Sequence, residues 1–443
     1  MRQYFFGLLT ILIASTLLSC GVSYQLKRSA TQTLLQKPVL KNAHVGVSIY
    51  DPAAKKFWYN HQGDKYFVPA SNTKIPTCYA AMKFLGDSIL SAYILDSADI
   101  LYVRPVGDPS FLLPEFAAQP LLNRIKASGK EVMLDISTNH RFSAYGSGWS
   151  WDDFQEAYLA ERSALPIYGN VVTFTSRNNS LTALPSMVLR SPFMNESMIQ
   201  LVGKGGKFQV VRQQDQNIFS LANSSRTFSK AVIPFKTLQG TTSFTFLKDT
   251  LSQLGINCTL RLVADAPSGQ PVYSIATDSL LRPLMHRSDN FFAEQSLLMV
   301  SQRLLGKMDD DAVIDTLLKT VLADLPQRPR WADGSGLSRY NLFTPQDFVR
   351  ILEKMKDEFG MNRVKSIFPT GGEGTIANYY TKDSGYIYAK TGTLSGVVSL
   401  SGFLYTRKGK LLLFSTLVNN HQASSTEIRR LVEEFLQGVR EKY

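Results

Sequence analysis

The chain has 443 residues, enough for two to three domains with a sizeable core, which excludes a peptide hormone or a disulfide-stapled miniprotein. With 44% hydrophobic, 11% aromatic and 19% charged residues it is neither disordered nor low in complexity. Lysine and arginine exceed aspartate and glutamate by 48 to 36, and the net charge of +12 suits nucleic acid, an anionic membrane or an acidic polymer without choosing among them.

In chain order, the first element is an apolar run from Tyr4 to Ser19 behind Arg2. It is too short to span a bilayer with ease and suits the core of a signal peptide over residues 1–19. Its end, Leu17-Leu18-Ser19-Cys20-Gly21, resembles the lipobox of bacterial lipoproteins. That resemblance implies export and diacylation of Cys20, so that a lipid holds the protein on a membrane of the cell envelope or periplasm. The polar stretch that follows reads as a tether over residues 20–43.

Val45 to Tyr50 alternates as a strand, Asp51-Pro52 turns, and Phe57-Trp58-Tyr59 returns. Asn72 to Leu85 is an apolar helical stretch closing at Gly86, with Ser71 at its N-terminus. From 96 to 274 the pattern changes to short strands such as Ile100–Val103, Val132–Ile136 and Val171–Thr175, with a helix at Leu247–Leu254, which reads as a β-rich insert. Helical periodicity returns near 275, with Phe291, Phe292, Leu297, Leu298, Leu304 and Leu305 expected on one buried stripe. Tyr386–Ala389, Val397–Tyr405 and Leu411–Val418 are strand candidates, and Glu427–Val439 is an amphipathic helix. One α/β domain built from residues 44–95 and 275–443 is therefore expected around the insert.

Cys78 and Cys258 lack metal or redox spacing and read as small hydrophobes. Asp309-Asp310-Asp311 reads as a solvated face, and Gly203 to Lys207 lacks the ending of a phosphate loop. No metal or cofactor is expected. A basic cluster with interleaved aromatics is missing, so nucleic acid is not expected as a partner.

A serine nucleophile needs a base, and residues i and i+3 of a helix share a face. Ser71-Asn72-Thr73-Lys74 has that spacing and is the only Ser-x-x-Lys in the chain. Lysine serves as a base near neutral pH when desolvation or a nearby cation disfavours its ammonium form; Lys390 is a candidate for that cation. Ser288-Asp289-Asn290 precedes a helix, and Lys390-Thr391-Gly392 is the only Lys-Thr-Gly. Ser-x-Asn alone is unspecific, since Ser137-Thr138-Asn139 and Ser176-Arg177-Asn178 also match.

The set of SxxK, SxN and KTG in this order resembles the serine penicillin-recognising enzymes. The 217-residue gap from Ser71 to Ser288 is similar to that of the low-molecular-mass class C D-alanyl-D-alanine carboxypeptidases and endopeptidases. So are Gly107-Asp108-Pro109-Ser110, Gly148 to Asp153, Ala293-Glu294-Gln295 and Asp333 to Arg339. The resemblance implies an α/β (α+β) serine β-lactamase/transpeptidase-like domain, an antiparallel sheet flanked by helices, that trims peptidoglycan stem peptides and is acylated by β-lactams. It implies Ser71 as nucleophile, Lys74 as base, Ser288 as proton carrier to the leaving amine and Asn290 as a holder of substrate and of Lys74. Lys390 and Thr391 would bind the terminal carboxylate, Gly392 would allow close approach, and the N–H groups of Ser71 and Thr393 would form the oxyanion hole. Trp149, Asp152 and Arg339 would meet the side chain of the stem peptide, a carboxylate and a guanidinium suiting the zwitterionic end of diaminopimelate. Core packing, a helix cap and a surface ion pair are the structural alternatives for these three. A serine β-lactamase and a non-catalytic β-lactam-sensing or wall-binding protein are the rival functions.

Overall fold

The computed structural model describes residues 21–443 apart from 137–140, 179, 191–199, 202–207, 224–227 and 268. Residues 21–30 are helical (α1) and run through a π-helical turn, Thr31–Leu35, and a 3-10 turn, Pro38–Leu40. Strands β1 (His44–Asp51) and β2 (Lys56–His61) form a hairpin, and α2 (Lys74–Phe84) follows. Next come β3 (Ser88–Asp96), β4 (Ile100–Pro105), α3 (Pro120–Ser128), β5 (Glu131–Leu134), β6 (Val171–Arg177) and β7 (Ser180–Leu184). The pair β8 (Gln200–Leu201) and β9 (Gln209–Arg212) leads to β10 (Phe219–Asn223), β11 (Phe228–Pro234), α4 (Thr241–Gln253), β12 (Leu260–Leu262) and β13 (Gln270–Ala276). The C-terminal part holds α5 (Thr277–His286), α6 (Asn290–Leu305), α7 (Asp310–Lys319), α8 (Pro345–Ile367), β14 (Ile387–Leu394), β15 (Val397–Tyr405), β16 (Leu411–Asn419) and α9 (Ser425–Lys442).

The two ends of the chain meet in one antiparallel sheet, order β14-β15-β16-β1-β2, with Ile49 opposite Phe414 where β1 joins β16. Both faces are covered. Phe403, Leu413 and Leu417 pack under α2, α5, α6, α7 and α8, while Val47, Leu400, Leu404 and Phe414 pack under α1 and α9. That double burial is why β15 and β16 carry apolar residues toward both faces, interrupted by Ser399, Ser401 and Gly402 in one and Ser415 and Thr416 in the other, instead of alternating apolar with exposed polar positions. Helix α9 contributes Ile428, Val432, Phe435, Leu436 and Val439, one stripe at helical spacing, and Ser424 caps it by accepting the Glu427 N–H at 3.2 Å.

A second core lies in the insert, around the sheet β12-β5-β4-β3-β13 and the smaller sheets β11-β6-β7 and β8-β10-β9. The boundary expected at 95 falls inside β3. That strand starts in the first core at Ile89 and enters the second at Ala92 and Ile94, paired with both β4 and β13.

Other expectations need correction. Residues 21–40 are not a tether: Leu26, Ala30, Leu34 and Leu40 are buried against α9 and the sheet, an apolar stripe hidden in a polar composition. Helix α2 starts two residues later than expected, because residues 70–73 form a 3-10 turn. Strand β14 does not stop at Ala389 but runs through Lys390-Thr391-Gly392, its hydrogen bonds completed by β15. Leu304 leaves the buried stripe and is 36% exposed, in the last turn of the helix before its cap at Gly306. Asp309 and Asp310 are buried, the former capping α7 through the Ala312 N–H at 2.9 Å. Cys78 is buried as expected, and Cys258, a free thiol, packs against the second core. Cys20, the signal-peptide residues, Ser137 to Asn139 and Gly203 to Lys207 lie outside the described residues.

Candidate active site

The tight turn Ala70–Thr73 delivers Ser71 to the head of α2, and the i, i+3 spacing sets Lys74 directly beneath it. Lys74 Nζ donates to Ser71 Oγ at 3.1 Å, to Asn290 Oδ1 at 2.6 Å and to the Ser335 carbonyl at 2.6 Å. The lysine is fully buried, and burial pulls its pKa down to about 8 against the opposing fields of Asp333, Glu294 and Asp289. Loss of one proton leaves two N–H donors for Asn290 and Ser335 and turns the lone pair toward the Ser71 hydroxyl.

Ser288 stands between α5 and α6 with φ at 60°, a left-handed conformation that is uncommon for a residue with a Cβ. Its neighbour Asp289 caps α6, accepting the Phe292 N–H at 3.0 Å, and so fixes where Asn290 begins the helix. Asn290 also donates through Nδ2 to the Tyr158 carbonyl at 3.0 Å, tying α6 to the insert. From β14, Lys390 Nζ donates to Ser288 Oγ at 2.8 Å and to the Thr391 carbonyl at 2.7 Å. Burial, Lys74 and Arg429 hold the Lys390 pKa well below the usual lysine range. The expectation that Lys390 depresses Lys74 is thus refined: burial is the leading cause at Lys74, and the repulsion between the two ammonium groups bears on Lys390.

Gly392 is required by contact. A Cβ there would come within 2.1 Å of Ser399 Oγ, 2.6 Å of the Pro69 carbonyl and 2.9 Å of the Ser71 N atom. The strand therefore runs against the backbone of Ser71, as an oxyanion site shared by the Ser71 and Thr393 N–H groups would need. Thr391 is nearly buried and donates to Thr375 Oγ1 at 2.8 Å, whereas Thr393 is exposed.

Several supporting residues have no role assigned from the sequence, although Glu294 and Asp333 stand in stretches that carry the resemblance. Glu294, one turn beyond Asn290, accepts the Ser335 N–H at 2.7 Å, and the carbonyl of that same Ser335 receives Lys74. Burial and Asp333 push the Glu294 carboxyl up to about 7. Arg162 faces it at 3.4 Å and pairs with Asp310 at 2.6 Å. Asp333 gathers the loop that follows, accepting from the N–H groups of Gly336 at 2.8 Å and Ser338 at 2.7 Å and from Asn341 Nδ2 at 2.8 Å. The available signal was an acid in an otherwise apolar helical face at Glu294; for Arg162 and Arg429 there was none.

Trp149 is half-buried, donates to Asp333 Oδ2 at 2.9 Å and lies with its ring 5.6 Å from the Arg162 guanidinium, so its indole is already partnered. Asp152 is exposed and accepts from Ser150 Oγ at 2.5 Å. Arg339 is exposed and donates to the carbonyl of Ser395, in the turn that ends β14. The Trp149 and Arg339 loops are brought side by side, with Gly148 against Tyr340 and Ser338.

The D-Ala-D-Ala carboxypeptidase 3 (S13) family pattern matches residues 27–439. Among curated proteins, a D-alanyl-D-alanine carboxypeptidase of an Actinomadura species is 25% identical, the alignment covering 89% of this chain and 81% of that protein. The D-alanyl-D-alanine carboxypeptidase DacB of Haemophilus influenzae is 24% identical, with 97% of each chain covered. In fold, the chain is similar to the crystal structure of penicillin binding protein 4 of Haemophilus influenzae, with a TM-score of 0.70 at 22% identity over 94% of this chain and 98% of that one. It is similar also to a peptidoglycan endopeptidase of Bdellovibrio bacteriovorus, with a TM-score of 0.51 at 15% identity over 90% and 93%.

Proposed function

The chain belongs to the D-Ala-D-Ala carboxypeptidase 3 (S13) family, and from that premise we propose that it removes the terminal D-alanine of peptidoglycan stem peptides through an acyl-enzyme on Ser71. The observation that carries the assignment to Ser71 is the fully buried Lys74, 3.1 Å from the Ser71 hydroxyl and with its pKa brought down to about 8.

Ser71 Oγ attacks the carbonyl between the two D-alanines while its proton passes to neutral Lys74, and the oxyanion is held by the Ser71 and Thr393 N–H groups. Collapse breaks the C–N bond. Ser288, hydrogen-bonded to Lys390, delivers a proton to the departing amine, D-alanine leaves, and water hydrolyses the ester. Asn290 keeps Lys74 aligned, and Lys390 with Thr391 receives the substrate's terminal carboxylate, which restores to Lys390 the charge that burial disfavours. Trp149, Asp152 and Arg339 are assigned to the rim that meets the stem-peptide side chain, on the strength of their neighbouring loops. Penicillins enter by the same acylation: purified protein should take up a fluorescent penicillin covalently, and Ser71→Ala should take up none. A folded wild type that stays unlabelled sinks the assignment.

Export and lipidation at Cys20 complete the reading, supported by the apolar run and lipobox-like ending of the first 20 residues. Radiolabelled palmitate should enter the expressed wild type and not Cys20→Ser; equal labelling of both removes the anchor.

A further inference from the structure

Helices α1 and α9 pack antiparallel: Gln25 Oε1 accepts from the Tyr443 hydroxyl at 3.1 Å, and a Cβ at Gly438 would stand 4.0 Å from Ser29 Oγ. Residue 21 therefore points past the end of α9. The same end of the central sheet holds the β1–β2 turn, closed by the pair Asp51 and Lys56, and the β15–β16 turn, closed by Tyr405 and Leu411. The Lys408 N–H donates to the Tyr443 carbonyl at 3.2 Å, and the Trp58 ring lies 5.3 Å from that of Tyr443, so the two turns and the two helix ends share one face. Residues 21–28, 52–56, 406–410 and 440–443 supply it, and they hold nine lysines and arginines against one carboxylate, Glu441. These 22 of the 443 residues thus account for +8 of the net +12. All nine cations except Arg440 are exposed. Glu441 answers Arg407 at 2.5 Å, Asp51 answers Lys410 at 2.9 Å and Asp383 answers Arg440 at 3.2 Å, which leaves six cations in excess. Tyr24 and Tyr386 add exposed rings, the latter placed here by the hydrogen bond from the Tyr405 N–H to its carbonyl at 2.8 Å.

We propose that this face is a seat for an anionic lipid surface, with its cations on the headgroup phosphates and Tyr24 and Tyr386 at headgroup level. Charge alone would suit an acidic polymer equally. The apolar run from Tyr4 to Ser19 decides for a bilayer, because it leads into this face, and a polybasic patch is the second signal that turns weak, reversible membrane binding into stable binding. The seat rests neither on the peptidase reading nor on a lipid at Cys20. It also leaves the site uncovered: Gly392, beside Ser71, lies five positions along β14 from Ile387 at this end, about 16 Å away.

The test mixes the full chain with vesicles of phosphatidylcholine, with and without phosphatidylglycerol, and reads the acetylation of each lysine by mass spectrometry. Lys27, Lys55, Lys408 and Lys442 should be modified at least roughly fivefold less on the anionic vesicles, the preference that one interfacial charge supplies, and high salt should abolish the difference. The exposed Lys126 and Lys230 of the insert should be modified equally on both. Joint replacement by Lys55→Glu, Lys408→Glu and Lys442→Glu should remove the protection of Lys27, with thermal unfolding showing that the variant is folded. Equal modification of the four lysines on both vesicle types in the wild type overturns the proposal. So does protection shared by the insert lysines, which means that a basic chain adsorbs by any face. Protection by soluble polyglutamate and not by anionic vesicles makes an acidic polymer the occupant and overturns it as well. Penicillin uptake by the same samples reads the peptidase assignment separately.

Discussion

At the scale of single residues, the chemistry turns on one lysine proton. In the proposed mechanism Lys74 acts as a base only when neutral, and burial sets its pKa at about 8, so acylation by penicillin should rise about tenfold per pH unit below that value and level off above it. A limb near the free-lysine value would contradict the role. Glu294 is one of the carboxylates that oppose the shift, so Glu294→Gln, which keeps an acceptor for the Ser335 N–H, should move the limb to lower pH; a limb moving upward would refute that field. Ser71, Lys74, Ser288, Asn290 and Lys390 were legible in the sequence because each belongs to a short spacing with a chemical reason. Glu294 was legible only as part of a matching stretch without a role, and Arg162 and Arg429 not at all, since their partners lie across a fold that no local spacing records: Arg429 and Thr393 are brought together by the packing of α9 on the sheet.

Among elements, β14 is where local pattern misled most. Its Lys-Thr-Gly stretch has no apolar alternation, so the sequence pattern ends the strand at Ala389, whereas pairing with β15 carries it on to Leu394. The continuation matters because it presses Gly392 against Ser71. Gly392→Ala places a methyl group against the Pro69 carbonyl and Ser399, and should cost about 1–3 kcal/mol of stability. The larger effect is expected on chemistry: displacement of β14 should slow penicillin acylation by roughly a hundredfold, as loss of an oxyanion donor does. Stopped-flow acylation with thermal unfolding of the same variant separates the two effects, and wild-type rates in Gly392→Ala would show that the strand need not touch the nucleophile. Helices with strong amphipathic stripes, such as α9, were readable to within a few residues.

For the whole molecule, the closure of one sheet by both chain ends was legible from two strands at the front and three at the back. The seam with the insert was not, because β3 serves both cores in succession and carries no break in composition. The proposed active site sits on that seam: Asn290 reaches the insert through Tyr158, and Glu294 faces Arg162. Residues 21–40 alter how the whole body stands in its surroundings. A flexible chain of that length would let an anchored enzyme roam over about 25 Å. With α1 and the turns after it clamped to α9, that slack is gone, and the lipid proposed at Cys20 would serve as a foot and not a leash. On that proposal the catalytic domain would stay close to the bilayer, and the stem peptides it trims would be those that come within the height of the protein itself.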